Sequence, residues 1–172
     1  MKFDYVDWPA YPSAAFPDRK KISRPTIRIT AQYQTQSYEM LALIDSGADY
    51  CLFPASIGEE LGLDIQSGPK DWTQGSDGRP FQVYFHEITL IVEKYRINAW
   101  VGFAEECPWP LLGHAGFLEQ FEVRLNFAKK RIELKLTPSR SRPKKLKGHP
   151  RQKADQGTTG STLPGSPASA RR

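Results

Sequence analysis

The residues best suited to chemistry lie in the segment ALIDSGADYCLFP, residues 42–54. An apolar run ends at Asp45, Ser46 and Gly47 follow, and a second apolar run begins at Cys51. Asp-Ser-Gly is common in turns, because Asp and Ser side chains hydrogen-bond to nearby backbone groups. The apolar flanks instead favour a turn inside the structure, where a carboxylate is costly unless it is hydrogen-bonded or paired. Asp45 is therefore either an ordinary turn acid or a buried carboxylate kept for a purpose.

Alternating apolar and polar residues predict that strands surround this segment. The run TIRITAQY, residues 26–33, alternates as a half-buried strand does, and YEMLALI, residues 38–44, returns from the turn QTQS. PASIGEELGL, residues 54–63, predicts a short helix, because Pro54 suits a first turn and Gly62 can end it. Further strands are predicted at residues 81–93, 95–103, 122–127 and 131–136, with a short strand and a helical turn within 110–121. This pattern predicts an all-β protein with a closed or folded-over sheet and short helices.

Three regions differ in composition. Residues 1–25 are rich in Pro and aromatic residues without a regular period, and are predicted to be an extended arm. Residues 26–136 carry the predicted strands and form the domain. Residues 137–172 have almost nothing to bury and are predicted to be a disordered tail. This tail holds nine of the 24 Lys and Arg but one of the 19 acids, so its net charge is +8 and that of the rest is −3.

Charge, cysteine and histidine usage narrow the possible partners. The basic tail would attract nucleic acid weakly and nonspecifically, but it has no aromatic residue for base stacking. No stretch approaches the ~20 apolar residues of a membrane span, and the N-terminus lacks a signal-peptide pattern. A cytoplasmic protein with reduced Cys51 and Cys107 is therefore expected. The three histidines are scattered and no CxxC pair occurs, so neither a metal nor another cofactor is expected.

Two segments of the chain resemble the signatures of the retropepsin-like aspartic proteases. LIDSGADYCLFP, residues 43–54, is similar to the active-site segment of that family, whose pattern is Asp-[Ser/Thr]-Gly-Ala between apolar strands. LLGHAGFLEQFEVRLNF, residues 111–127, is similar to the second signature, an apolar pair and a Gly followed by a short helix and a closing strand. A Gly-rich hairpin within residues 66–80 lies between them, where the family carries its flap. The resemblance covers residues 26–136 and implies the retropepsin-like β-barrel.

The resemblance implies an aspartic endopeptidase that cleaves a polypeptide substrate. Such a reaction needs two carboxylates that share one proton, one to activate water and the other to protonate the substrate carbonyl. The chain has one Asp-Ser-Gly and no second lobe, so the second Asp is expected from another copy in a homodimer. The expected catalytic residues are Asp45, with Ser46 bonding across the dimer and Gly47 allowing a tight turn.

The resemblance also implies a set of substrate-binding residues. Ala48 and Asp49 would border the substrate backbone. The flap tip would close over the bound peptide as a lid, and an apolar pair would line the pocket wall. These expected residues are Ala48, Asp49, Gly75, Ser76, Asp77, Gly78, Leu111 and Leu112.

Two departures from the family pattern leave an alternative open. Many retroviral enzymes carry Arg after the Gly of the second signature, whereas this chain has His114, and the chain continues past the closing strand as AKKRIELKL. The alternative function is a catalytically weak peptide-binding or dimerisation module of the same fold. The intact Asp-Ser-Gly-Ala favours the enzyme over this module.

Overall fold

A computed structural model gives the structure of residues 1–75 and 77–137. Within these ranges the chain forms twelve strands, one α-helix and two single-turn 3-10 helices. The strands are β1 (Lys2–Asp4), β2 (Val6–Pro9), β3 (Lys21–Arg24), β4 (Thr26–Tyr33), β5 (Gln36–Ile44), β6 (Cys51–Pro54), β7 (Lys70–Gln74), β8 (Pro80–Val92), β9 (Tyr95–Ala104), β10 (Leu111–Leu112), β11 (Phe121–Asn126) and β12 (Arg131–Leu136). Helix α1 is Ala55–Glu60, and the 3-10 helices are Ile65–Ser67 and Leu118–Gln120. The prediction of an all-β protein with short helices is confirmed.

Seven strands form one sheet that closes on itself. Its order is β4-β5-β10-β6-β9-β8-β7, and β4 also pairs with β8 through Thr30↔Ile91 and Gln32↔Thr89. The pairing of β4 with β8 closes six of these strands into a barrel, which removes the open edges that invite unwanted pairing. Strand β7 pairs with β8 alone and forms the outer strand of a hairpin. The predicted closed β architecture is therefore confirmed.

Several barrel strands bury every second residue over much of their length, as side chains on a pleated strand point alternately to its two faces. On β4 Ile27, Ile29 and Ala31 are buried, and the same spacing recurs in the second half of β8 and the first part of β9, whereas Cys51, Leu52 and Phe53 of β6 are all buried. Helix α1 covers the core and is followed by Gly62, whose φ of +77° is a conformation that glycine adopts without a steric penalty. The core positions therefore follow the period of 2 that the sequence displays.

The N-terminal 25 residues differ from the extended arm that composition predicts. Strand β1 pairs antiparallel with β12 in a second sheet of order β1-β12-β11. Strands β2 and β3 form a separate hairpin, in which Val6 lies opposite Arg24 and Trp8 opposite Ile22. These strands have three or four residues each, too few to show a period, and the partner of β1 lies far away in sequence. The proposed division at residue 25 remains a prediction.

A disordered basic tail is predicted for residues 137–172. Apart from Thr137, this tail lies outside the described residues. Among the helices of residues 1–75 and 77–137, none has the length and apolar content that crossing a membrane requires.

Candidate active site

Asp45 begins the loop that joins β5 to β6. Its backbone N–H donates to the Leu112 carbonyl at 3.1 Å, and its Oδ1 accepts a hydrogen bond from the Gly47 N–H at 2.9 Å. The Ala48 N–H donates to the Asp45 carbonyl at 3.3 Å, which completes a tight turn. The Asp45 residue is half-buried in the single protomer. Asp45 therefore forms the turn and is also a partly enclosed carboxylate. The sequence presented these as alternatives, and the structure combines them.

The second signature segment lies directly beneath this loop. Strand β10 pairs parallel with β5, placing Leu111 beside Leu43, and antiparallel with β6. The His114 N–H donates to the Ala48 carbonyl and the Ala115 N–H to the Asp49 carbonyl, both at 2.9 Å. These bonds fix the Asp45 loop to a segment almost seventy residues further along the chain.

Gly113 is required at this contact by its close approach to the loop backbone. A Cβ placed on Gly113 would lie 2.2 Å from the Tyr50 carbonyl oxygen and 2.7 Å from that of Ala48. Backbone atoms cannot move aside as the end of a side chain can, so a larger residue would push the two segments apart. Gly113 therefore packs directly against the backbone of the Asp45 loop.

The His114 side chain holds the other side of the turn. Its Nε2 lies 2.8 Å from the Ser46 carbonyl oxygen. Because a carbonyl oxygen only accepts hydrogen bonds, Nε2 is the donor of this bond.

A cleft of roughly 1090 Å³ opens at the Asp45 loop. Asp45, Gly47, Ala48 and Asp49 line one side. The β7–β8 hairpin contributes Thr73, Gln74, Gly75, Asp77, Arg79, Pro80 and Phe81. The segment before β10 contributes Pro108 and Trp109, and β10 itself contributes Leu111. A carboxylate on a hydrogen-bonded loop therefore borders a cleft that a hairpin bounds.

The tip of this hairpin forms where the sequence predicts it. The Gly75 N–H donates to the Arg79 carbonyl at 3.2 Å and the Gly78 N–H to the Gly75 carbonyl at 2.9 Å. Asp77 forms an ion pair with Arg79. Gly75 and Asp77 line the cleft, whereas Gly78 is an exposed turn residue that does not line it, and Ser76 lies outside the described residues.

The structure separates the two leucines that are expected to line the pocket wall. Leu111 lines the cleft, but Leu112 is fully buried in the barrel core. Adjacent residues of a strand point to opposite faces, so only one of the pair can reach the cleft. Leu112 is thus a core residue, which corrects its expected role in substrate binding. Ser46 is exposed on the protomer surface beside the cleft rather than in its lining.

Both cysteines lie near the site but are held as thiols. Burial raises the pKa of Cys51 to about 12 and that of Cys107 to about 11. The Cys107 thiol donates to the Trp109 carbonyl at 3.1 Å. A thiol with so high a pKa is a poor nucleophile at neutral pH.

Arg24 lines the cleft, although the sequence gave it no part in binding. Trp109 lines it as well, within the loop-like segment EECPWP, whose position before the second signature makes a place at the pocket rim an expectation. Arg24 belongs to the stretch predicted to be an arm and reaches the cleft through the β2–β3 hairpin. No local signal marks it, because its position depends on the pairing of that hairpin and on contacts with Trp109.

Comparison with known proteins supports the fold. No protein-family model matches the sequence, and no curated protein matches it. A retropepsin-like aspartic protease from Rickettsia conorii is 14% identical, with a TM-score of 0.51 over 77% of this chain and 97% of that one. EIAV protease in complex with the inhibitor HBY-793 is 20% identical, with a TM-score of 0.43 over 52% of this chain and 81% of that one. The first of these similarities, together with the closed barrel and the two signature segments, shows that the chain has the retropepsin-like aspartic protease fold.

Proposed function

We propose that this chain is an aspartic endopeptidase that hydrolyses peptide bonds as a homodimer. The observation that carries the proposal is the Asp45 carboxylate, held by the Gly47 N–H on a loop that is fixed to residues 112–115 and faces a cleft bounded by a hairpin. A polypeptide in extended conformation suits a cleft of this kind. The retropepsin-like fold supports the same reaction class.

The second carboxylate would come from the partner copy. Within residues 1–75 and 77–137 the cleft acids other than Asp45 are Asp49, Asp77 and Glu106, and Asp77 is paired with Arg79. None of these stands on a second loop like that of Asp45. A twofold axis beside the exposed Ser46 would bring two Asp45 loops together, and the Ser46 hydroxyl would then reach across the axis.

The paired carboxylates would perform general acid–base catalysis. Two carboxylates in contact cannot both ionise, so the pair holds one proton over a range of pH and its two titrations split apart. The ionised carboxylate takes a proton from water, and the protonated one gives its proton to the carbonyl oxygen of the scissile bond. Activity should therefore show a bell-shaped dependence on pH.

The remaining cleft residues would bind and enclose the peptide. Ala48 and Asp49 lie beside Asp45 and would border the substrate backbone. Leu111 would contact an apolar side chain of the substrate. The hairpin tip with Gly75 and Asp77 would close over the peptide and exclude water. Since Cys51 and Cys107 are both free, we place this activity in the reducing cytoplasm.

The test is digestion of a peptide library at several values of pH between about 4 and 7 with the wild-type chain and the Asp45→Asn variant. Asn keeps an oxygen for the Gly47 N–H but cannot share the proton, so cleavage should be lost while the fold remains. Asp64→Asn, an exposed acid outside the cleft, is the matched control and should remain active. Equal cleavage by wild type and Asp45→Asn, or failure of pepstatin to inhibit, would contradict the proposal.

A further inference from the structure

Tyr50, the last residue of the Asp45 loop, is held in the cleft at both its backbone and its ring. Its carbonyl lies against Gly113, where a Cβ would be only 2.2 Å from the oxygen. Its ring lies over Gly102 of β9, where a Cβ would be 3.3 Å from the Tyr50 Cε2. The ring also meets that of Phe85 on β8 edge to face, with centroids 4.8 Å apart. The direction of the Tyr50 side chain is therefore set by the barrel.

The hydroxyl end of this side chain reaches the β7–β8 hairpin. Tyr50 and Thr73 both line the cleft. Burial raises the pKa of Tyr50, and a hydrogen bond with the Thr73 side chain acts in the opposite direction. Thr73 is also the one residue of β7 that is half-buried, because the other four are exposed. The strand that pairs with β8 alone is thus covered at the point where Tyr50 meets it.

This contact connects the loop side of the cleft to its hairpin side within one protomer. Lifting the hairpin would break the bond between Tyr50 and Thr73, but it would leave the ring on Phe85 and the carbonyl on Gly113, since neither of these lies on β7. A single side-chain hydrogen bond shifts an equilibrium between two conformations by about fivefold. Such a bond is strong enough to bias the hairpin towards the cleft and weak enough to break and re-form.

We propose that Tyr50 is a latch, a side chain that holds the β7–β8 hairpin down over the cleft through Thr73. For the hydrolysis that we propose for this chain, Tyr50 is a positioning residue: it acts through the hairpin, whereas Asp45 acts on the bond. Its effect on catalysis rests on the proposed function, but the latch itself is measurable without substrate. Because a peptide must pass the hairpin to enter or leave the cleft, the latch governs peptide retention and not bond cleavage.

The first test is hydrogen exchange of the full-length chain without ligand. Tyr50→Phe keeps the ring and removes the hydroxyl, and Thr73→Val keeps the branched shape and removes the other hydroxyl. Each variant should speed exchange of the β7 amides about fivefold and leave the β8–β9 ladder unchanged. The double variant should be no faster than either single variant, because all three lack the same bond. Tyr84→Phe is the matched control, since the Tyr84 hydroxyl donates to Gln82 within β8 at 3.1 Å.

The second test is the kinetics of peptide cleavage. Tyr50→Phe and Thr73→Val should raise KM about fivefold without lowering kcat, because the lost bond holds substrate and transition state alike. A fall in kcat at constant KM would instead make Tyr50 a support of the Asp45 loop and overturn the latch. Unchanged β7 exchange in both variants, or additive acceleration in the double variant, would also overturn it while leaving the endopeptidase proposal intact. If the wild type cleaves no peptide, the endopeptidase proposal fails and the exchange rates alone decide whether the latch exists.

Discussion

His114 is the residue that connects the two signature segments from both its backbone and its side chain. Its N–H donates to the Ala48 carbonyl, and its ring Nε2 donates to the Ser46 carbonyl. The Ser46–Gly47 and Ala48–Asp49 peptide groups are thereby held in place, and the first of them carries the N–H that donates to the Asp45 carboxylate. His114 is therefore a positioning residue, which acts on the proposed reaction through the loop and not by touching the substrate.

Replacing His114 with Ala should lower kcat about tenfold with little change in KM, because a carboxylate displaced by a fraction of an ångström reacts poorly. His114→Gln, whose amide N–H can reach the same carbonyl, should recover most of the activity. His86→Ala is the matched control, since the His86 Nε2 also lies 2.9 Å from a carbonyl oxygen, that of Ile65, away from the Asp45 loop. Both Ala variants should lose about 1 kcal/mol in free energy of unfolding. An equal fall in kcat for the two would contradict the positioning role.

At the scale of elements, the β7–β8 hairpin is the part of the site best able to move. Strand β7 is paired on one side only, and four of its five residues are exposed, including Trp72. Edge strands with few buried contacts open at low cost, whereas a strand paired on both sides opens only with much of the barrel. The hairpin can thus open without disturbing the Asp45 loop.

Hydrogen exchange should reveal this motion. Backbone amides of Lys70–Gln74 should exchange at least about tenfold faster than those of the β8–β9 ladder, and should slow when pepstatin or a substrate peptide binds. Strand β11, an edge strand of the other sheet, provides the comparison and should show no such slowing. Unchanged exchange in β7 on binding would mean that the hairpin does not close over the ligand.

Elements with a clear period could be predicted from the sequence, and short elements could not. The alternation of β4, the returning β5 and the helix start after Pro54 depend on neighbouring residues, so local pattern was sufficient for them. Strand β1 has three residues and pairs with a strand about 130 positions away, so nothing local identifies it. The same reasoning explains Leu112: an apolar pair predicts a strand, but which of its members faces the core depends on register.

The candidate site was predictable to a similar degree. Asp45, Gly47, Ala48 and Asp49 are contiguous, and the turn they form is local chemistry. Arg24 reaches the cleft only because the β2–β3 hairpin and the distant Trp109 place it there. The sequence therefore predicts the residues of a contiguous motif better than a residue that distant contacts bring to the site.

At the scale of the whole molecule, the proposed site is incomplete in one protomer. If two Asp45 residues from two copies form it, a protomer with Asp45→Asn should inactivate any wild-type protomer with which it pairs. After equimolar mixing with free exchange of protomers, about a quarter of all dimers have two intact loops. Because mixing doubles the total number of dimers, this quarter equals about half of the original wild-type dimers, and the total activity should fall to about half. Addition of Asp64→Asn protein provides the control for dilution and exchange. Full retention of activity after mixing with Asp45→Asn would mean that one protomer is sufficient.

The bonds between the Asp45 loop and residues 112–115 also determine when the loop can form during synthesis. The chain must extend almost seventy residues past Asp45 before Gly113 and His114 exist to support it. At ordinary rates of translation this interval is on the order of several seconds. During that time the carboxylate is attached to a flexible nascent chain and has no fixed partner. The proposed proteolytic activity would therefore be withheld from the ribosome-bound chain by topology alone.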